Sequence, residues 1–373
     1  MGRNDRRPHT SAYIKIVLVL GLVIMLGLML FQQKPTAWSE ELTVHFIDVG
    51  QGDATLIHFD NHFILIDGGE KDYGPVVLAY LQKQGVTELD WIIATHPHSD
   101  HIGGLISILN SIPVAHFMMP DQVHTTQTFE DLLDAIAAKG LKITRPEVGQ
   151  IFDWGNARLT LIAPNRSEYE NLNNYSIGIR LDYGETSFIF TGDAEQLAEL
   201  DMVHNGLALS ADVLKVGHHG SSTSSCAAFL DAVGANYAVI SLAADNDYGH
   251  PHREVLQRLA ERAITVYRTD ETGTIVAYSD GQQLRFNSTP SDLEFETASV
   301  IYEEGNEFEN PVAAAVDSSS SIELIAQVYI TPSGNRYHQA NCSYLQHSDT
   351  TITLEEAWLR GLEPCSRCTP PSR

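Results

Sequence analysis

Cysteine is scarce in this chain, with four in 373 residues. So few cannot staple a body of this size, which must rely on an apolar core instead. The 43% apolar content is enough for one, and the length allows one large domain with additions, or two to three ordinary domains. Positive charge is also short: 23 Lys and Arg stand against 48 Asp and Glu, a net of -25. Residues 36–285 alone carry 14 basic and 34 acidic side chains, so the acidity belongs to the main body and not only to a tail. A broad basic surface is thereby excluded, and with it tight non-specific binding to nucleic acid by counterion release. No short-period repeat occurs, which argues against a solenoid or propeller.

Long apolar runs are limited to one. Ile14 to Phe31 is broken only by Lys15 and follows Arg3, Arg6 and Arg7. Its 18 residues approach the roughly 20 needed to span a bilayer. A retained signal anchor is the expectation: residues 1–13 a basic cytoplasmic terminus, 14–31 a single-pass span, and the rest outside the cell. A cleaved signal peptide, giving a secreted protein, and a buried core helix are the competing readings; "KPTAWSE" offers only a weak cleavage site. One span is too few for a polymer-conducting membrane channel, so the chain is not expected to be one.

From Leu42 the pattern alternates short β-rich runs with helical ones. "LTVHFIDV", "ATLIHF", "HFILIDGG" and "LDWIIAT" read as strands, and "YGPVVLAYLQKQG", "IGGLISILNSI" and "TFEDLLDAIAAKG" as helices. The second half repeats the style, with a hairpin in "LDYGETSF" turning at Tyr183–Glu185. These elements predict an α/β domain over residues 42–286, made of two mixed sheets faced by helices. Between Arg285 and Arg336 there is no Lys or Arg but nine Asp and Glu, which predicts a solvated, disordered linker over 287–322. A compact segment at 325–369 follows.

The stretch Thr95–Gly104, "THPHSDHIGG", places three His and one Asp within six residues directly after an apolar strand. On an extended segment His96 and His98 point to the same side, and Asp100 and His101 fall in the turn that opens the next helix. Imidazole nitrogen and carboxylate oxygen suit zinc, and also manganese or iron. A lone His is usually structural; four such groups at this spacing are not.

This motif resembles the metallo-β-lactamase superfamily. "DVGQGDA" at Asp48–Ala54, "IDGG" at Asp67, "TGDAE" at Asp193 and "LKVGHHGSS" with His218 and His219 are together similar to the extracellular hydrolase domain of the competence protein ComEC and its stand-alone relatives. The resemblance implies an αββα sandwich with two divalent metal ions. One ion would sit on His96 and His98. The other would sit on Asp100, His101 and a His of "HHGS", with Asp193 bridging and a hydroxide between the metals as nucleophile. Of the two histidines His219 is taken as the ligand, while His218 and Ser221 would face a substrate oxyanion.

No His occurs between His124 and His204, where many members supply a further ligand to the first metal. Asn174 or water would fill that place, and the harder donor set makes manganese a rival to zinc. Asp48 and Asp67 are expected to orient ligand imidazoles. His250, in "YGHPH" before a helix, is expected to reach a phosphate there. Asp100, His218 and His250 are thus the expected catalytic side chains.

A β-lactam, a thioester or lactone, and a phosphodiester all fit such a hydrolase. The resemblance favours a phosphodiester, in DNA or in a cell-wall polymer from which phosphorylcholine is removed. A cell-surface scaffold with a vestigial metal site is the non-enzymatic alternative.

In the tail, His338-x3-Cys342 and Cys365-x2-Cys368 read as a closed tetrahedral zinc site on a segment too short to fold well alone. A disulfide between two of these Cys is the alternative. The spacing and "EAWLRGLEPCSRC" resemble the zinc domain of the Ada DNA-repair protein. His338 stands where that family has its methyl-accepting Cys, so a structural zinc module is expected, with possible docking to a surface polymer as its use.

Overall fold

The structure is a computed structural model that describes residues 41–293, 327–330, 336–338, 350–353, 357 and 362–365. The expected membrane span at 14–31 and the linker from residue 294 lie outside these. Among the described residues no helix is long and apolar enough to cross a membrane.

Two sheets build the body. The first holds β1 (Leu42–Phe46), β2 (Thr55–Phe59), β3 (His62–Ile66), β4 (Leu89–Ile93), β5 (Val114–Met118) and β6 (Ile143–Thr144). The second holds β7 (Ile151–Trp154), β8 (Ala157–Leu161), β9 (Ile179–Tyr183), β10 (Thr186–Phe190), β11 (Val213–Lys215), β12 (Tyr237–Ile240) and β13 (Thr265–Arg268). The chain then returns to the first sheet with β14 (Ile275–Ser279) and β15 (Leu284–Phe286). The strand orders are β15-β14-β1-β2-β3-β4-β5-β6 and β13-β12-β11-β10-β9-β8-β7.

Period-two alternation explains why the sheets stack. In β10, Phe188 and Phe190 enter the core shared by both sheets, with Val44, Phe46, Leu159 and Leu181. Ile189 between them points the other way, into the core under the helices of the second sheet. Strands apolar on both faces must be covered on both, and each fully buried Phe or Leu contributes about 1.5–3 kcal/mol on leaving water. Helices α1 (Gly74–Lys83), α2 (Ser99–Ile102), α3 (Leu105–Ser111) and α4 (Gln127–Ala138) follow strands of the first sheet, and most of their buried residues lie in its outer core. Helices α5 (Gln196–His204), α6 (Ala227–Val233) and α7 (Arg253–Glu261) cover the second. The layers are helix, sheet, sheet, helix, as expected.

Two details differ from expectation. The stretch read as one helix from Ile102 is broken into α2 and α3, because Gly104 packs backbone to backbone on Gly68. A Cβ on Gly104 would meet the Gly68 carbonyl oxygen at 1.9 Å. Residues 287–293, expected at the start of the linker, are tied to the body: Asn287 N donates to Val276 O (3.1 Å) and Ser291 N to Val266 O (2.7 Å). One compact unit ends at Leu293 and a second begins at Glu294.

The second unit has its own sheet, in the order β18 (Thr350–Thr353), β16 (Gln327–Ile330), β17 (Arg336–His338), β19 (Glu363–Pro364). Val328, Ile330, Tyr337, Ile352 and Ala357 form its small core.

In the body, β3, β4 and β5 run parallel, as do β10, β11, β12 and β13. The loops leaving their carboxyl ends carry the residues described next, the usual place for a site in open α/β sheets.

Candidate metal centre

The first sheet supplies one half of the centre. After β4 the chain runs through Thr95, His96, Pro97 and His98, and His96 Nε2 lies 2.9 Å from His98 Nδ1. His101, on α2, is fully buried, as is His96. Asp67, at the end of β3, organises this half. Its carboxylate accepts from Thr95 N (2.7 Å), Thr95 Oγ1 (2.8 Å) and His101 Nδ1 (2.9 Å). With Nδ1 donating, His101 turns its Nε2 towards the centre.

The second sheet supplies the other half. Asp193 follows β10, and its backbone N–H is held by Ser176 Oγ at 3.0 Å. After β11, His218 and His219 both have left-handed backbones, with φ of 50° and 53°. Non-glycine residues adopt this conformation only where the surroundings enforce it, and such strain clusters at functional positions. His219 Nδ1 donates to Ser241 O at 3.0 Å, which again leaves Nε2 facing inwards.

The halves meet at Asp193. Its Oδ1 lies 3.3 Å from His101 Nε2 and 3.6 Å from His219 Nε2. Its Oδ2 lies 3.8 Å from His96 Nε2 and 3.7 Å from His218 Nε2. Asp100 Oδ2 stands 3.3 Å from His219 Nε2 and 3.7 Å from His101 Nε2. One ligand atom each from Asp100, His101, Asp193 and His219 lie within 4.8 Å of one another.

Three of these atoms, His101 Nε2, Asp193 Oδ1 and His219 Nε2, are buried without a hydrogen-bond partner. Buried polar atoms without partners are rare, and a shared cation would satisfy all three. The residues therefore fit a divalent metal.

The protonation pattern points the same way. Burial opposes charge on His101, but Asp193, Asp100 and Asp67 outweigh it and hold its pKa well above the usual histidine range. His219 is likewise pushed up to about 10, by Asp193 and Asp53 against its burial. Burial also opposes charge on Asp193, yet His101 and His219 keep its carboxyl well below the usual range. His96, by contrast, is driven well below the ordinary value by burial and by His101. A cluster that draws protons onto two buried imidazoles lacks positive charge, and metal ions supply it while leaving the imidazoles neutral.

Residues 47–244, more than half of the chain, match the family model described as the metallo-beta-lactamase superfamily. The chain belongs to that superfamily. It falls in the competence-protein branch. It is 31% identical over 255 residues to ComE operon protein 3 of Bacillus subtilis, covering 64% of this chain and 33% of that protein. It is 30% identical over 261 residues to Recombination protein 2 of Haemophilus influenzae, covering 68% and 30% respectively. The chain thus spans about a third of the length of these curated relatives. Among solved structures it is similar to the metallo-beta-lactamase fold protein YhfI of Bacillus subtilis, with TM-score 0.44 and 13% identity over 63% of this chain and 99% of that one.

The fold of this superfamily implies divalent metal ions, and the centre is a candidate two-metal site. His96, His98, Asp100, His101, Asp193 and His219 are all brought together. Other expected residues are placed differently. Asp48 accepts from Gly50 N at 3.1 Å and meets no imidazole among the described residues, because its turn consumes it. Asn174 is buried and its amide oxygen accepts from Glu195 N (3.0 Å). Its neighbour Asn173 faces the centre instead, with Nδ2 3.5 Å from His218 Nε2. Ser221 is buried and bonds Thr223 Oγ1 at 3.1 Å, and that hydroxyl in turn meets His218 Nδ1 at 3.1 Å. His218 reaches the same Asp193 oxygen as His96. His250 lies ahead of α7 rather than at its cap, which is His252, and lines the metal cavity of about 290 Å³ beside His219.

Two residues escaped sequence reasoning. Lys215 Nζ donates to Asp53 Oδ2 at 2.6 Å, with the side chains only 3% and 6% exposed. Asp53 Oδ1 lies 3.5 Å from His219 Nδ1, so this ion pair backs the centre from behind. Both stand inside quoted motifs, "DVGQGDA" and "LKVGHHGSS", but nothing local says that they meet across 162 residues.

In the second unit His338 and Cys365 are both buried. His338 ends β17 and Cys365 directly follows its parallel neighbour β19, with Cys365 N donating to Tyr337 O at 3.0 Å. Burial, followed by Arg336, holds the His338 pKa below the ordinary value. Cys342 and Cys368 lie outside the described residues.

Proposed function

We propose that this chain is a two-metal phosphodiesterase working outside the cell, held to the membrane by residues 14–31. The observation that carries this reading is the Asp193 carboxylate, whose two oxygens face two separate sets of imidazole nitrogens. His96, His98 and His218 would hold one ion with Asp193 Oδ2. Asp100, His101 and His219 would hold the other with Oδ1. The second set mixes nitrogen and carboxylate oxygen, which suits zinc and also accepts manganese. With His218 beside it, the first set is richer in nitrogen than the sequence suggested. When bound, such a pair makes a water acidic enough to attack at neutral pH and neutralises charge on the attacked and leaving oxygens.

The chain's own residues do the rest. Asp67 and Ser241 O fix the tautomers of His101 and His219. His250 is pulled down to about 4 by burial and by His219, so at pH 7 it is a neutral ring at the cavity wall. It can donate one hydrogen bond to a substrate oxygen without adding positive charge beside the metals. Kinship with competence proteins supports DNA as the phosphodiester, with a teichoic-acid polymer as the rival. In the second unit His338, Cys342, Cys365 and Cys368 would hold a structural zinc, and the unit would dock a surface polymer.

The test is hydrolysis of bis-p-nitrophenyl phosphate by the full chain supplied with zinc or manganese. Nitrocefin and a hydroxyacyl thioester are run in parallel. Turnover of the phosphodiester, lost in Asp100→Ala, is expected. Turnover of nitrocefin or the thioester alone would overturn the reading.

A further inference from the structure

Beside the metal cavity lies a larger one, of about 420 Å³, which no part of the metal chemistry uses. Their linings approach each other along the chain at two places. On one side Gln122 lines the larger cavity and His124 the metal cavity; on the other Tyr175 lines the larger and Asn173 the metal one. Two residues of chain span at most about 7 Å, so the rims of the two cavities adjoin at both places, close enough for one phosphodiester strand to run from one into the other.

Two guanidiniums line the larger cavity, each paired with one Asp, in a chain whose net charge is -25. Arg145 and Arg166 both line it. Arg145 Nη2 pairs with Asp121 Oδ2 at 2.9 Å, but both side chains are about two-thirds exposed. Such pairs are weak, so this guanidinium can turn to a phosphate at little cost. Arg166 is fixed instead. Its Nε and Nη2 grip Asp201 at 2.6 and 2.7 Å, and Asp201 also accepts from Tyr169 OH. The N–H groups of Nη1 stay outside that fork, on a guanidinium whose direction is already set.

In the lining of the metal cavity Tyr248 is 67% exposed and stacks on His250, with ring centroids 5.6 Å apart. A nucleobase offers a π-face to such a ring; a glycerol-phosphate repeat does not.

We infer that the Arg145–Arg166 cavity is a second phosphate subsite, which holds a further phosphate along a single nucleic-acid strand while Tyr248 stacks a base at the metal cavity. This inference rests on the phosphodiesterase reading. It also reconciles an acidic chain with a polyanionic substrate, since two placed guanidiniums suffice where a basic surface is missing.

Two measurements test it on the full chain. The first is anisotropy of a labelled oligothymidylate in EDTA, where no cleavage occurs. Arg145→Glu, on an exposed side chain, and Arg166→Gln are each expected to weaken binding about tenfold and to flatten its salt dependence. Tyr248→Ala is expected to weaken it by a similar factor. The second is the ratio of kcat/KM for the oligonucleotide to that for bis-p-nitrophenyl phosphate, expected to fall about tenfold in both arginine variants. Unchanged anisotropy in both arginine variants overturns the subsite. Displacement of the oligonucleotide by lower concentrations of poly(glycerol phosphate) overturns the nucleic-acid assignment. A chain that turns over no bis-p-nitrophenyl phosphate sinks the phosphodiesterase reading, while the binding arm still judges the cavity.

Discussion

The two halves of the metal centre are built by different means. The half on the first sheet is a continuous loop, His96 to His101, in ordinary backbone, oriented by one buried carboxylate that accepts three hydrogen bonds. The half on the second sheet is gathered from two strand ends, with His218 and His219 in left-handed backbone and His219 oriented by a neutral carbonyl. Behind it stands the buried Lys215–Asp53 pair. The first half is positioned by hydrogen bonds to Asp67, which is itself left-handed with φ of 57°; the second by two left-handed ligand residues and a charge pair that crosses between the sheets.

Removing the carboxylate on which the halves meet should have the largest effect. Asp193→Ala is expected to cost activity well beyond the ~100-fold typical of changes behind the ligands, and metal analysis should show both ions weakened. Loss of one ion alone would show that the halves are independent.

The ion pair comes next. Lys215→Met leaves Asp53 charged and buried, which should destabilise the metal-free protein by about 3–5 kcal/mol in denaturant unfolding. Adding Asp53→Asn should recover much of that loss. A neutral Lys215→Met would show that the pair does not hold the second half.

Glu199 on α5 ties the loop after His219 by accepting from Ser225 N and Cys226 N. Burial pushes its carboxyl up to about 7, against the pull of those two N–H groups. A raised folded-state pKa means stability fully present below the unfolded value near 4.5 and lost as pH rises through about 7. The loss is about 3 kcal/mol at 1.36 kcal/mol per unit. Tm should fall between pH 5 and pH 8, and less so in Glu199→Gln.

For the first half, Asp67→Asn should lower metal affinity about 10–100-fold by chelator competition, since it weakens the bond that sets the His101 tautomer. The smallest effect separates strain from chemistry. His218→Gly should stabilise the metal-free fold by about 1 kcal/mol, as glycine accepts a left-handed backbone freely, while activity falls. A destabilised His218→Gly would mean that the backbone carries no strain there.

Legibility divides along the same line. The H-x-H-x-D-H loop could be read because its ligands are neighbours and period two sets their direction. The sandwich could be read from strands apolar on both faces. Asp48 was misjudged because a motif says which residues recur and not which way each side chain turns; it spends its carboxylate on a local turn. Asn174 and Asn173 are adjacent, and only the turn of the short helix Leu172–Tyr175 decides which one faces the centre. Lys215 and Asp53 carried no local signal at all.

By itself, the amino-acid order determined the layers and the run of ligands on one loop, because both follow from local periodicity. Only the tertiary structure decided which oxygen of Asp193 meets which imidazole, and that a buried lysine stands behind them. Such contacts join residues far apart in the chain, and their geometry exists only once the two sheets have closed on each other.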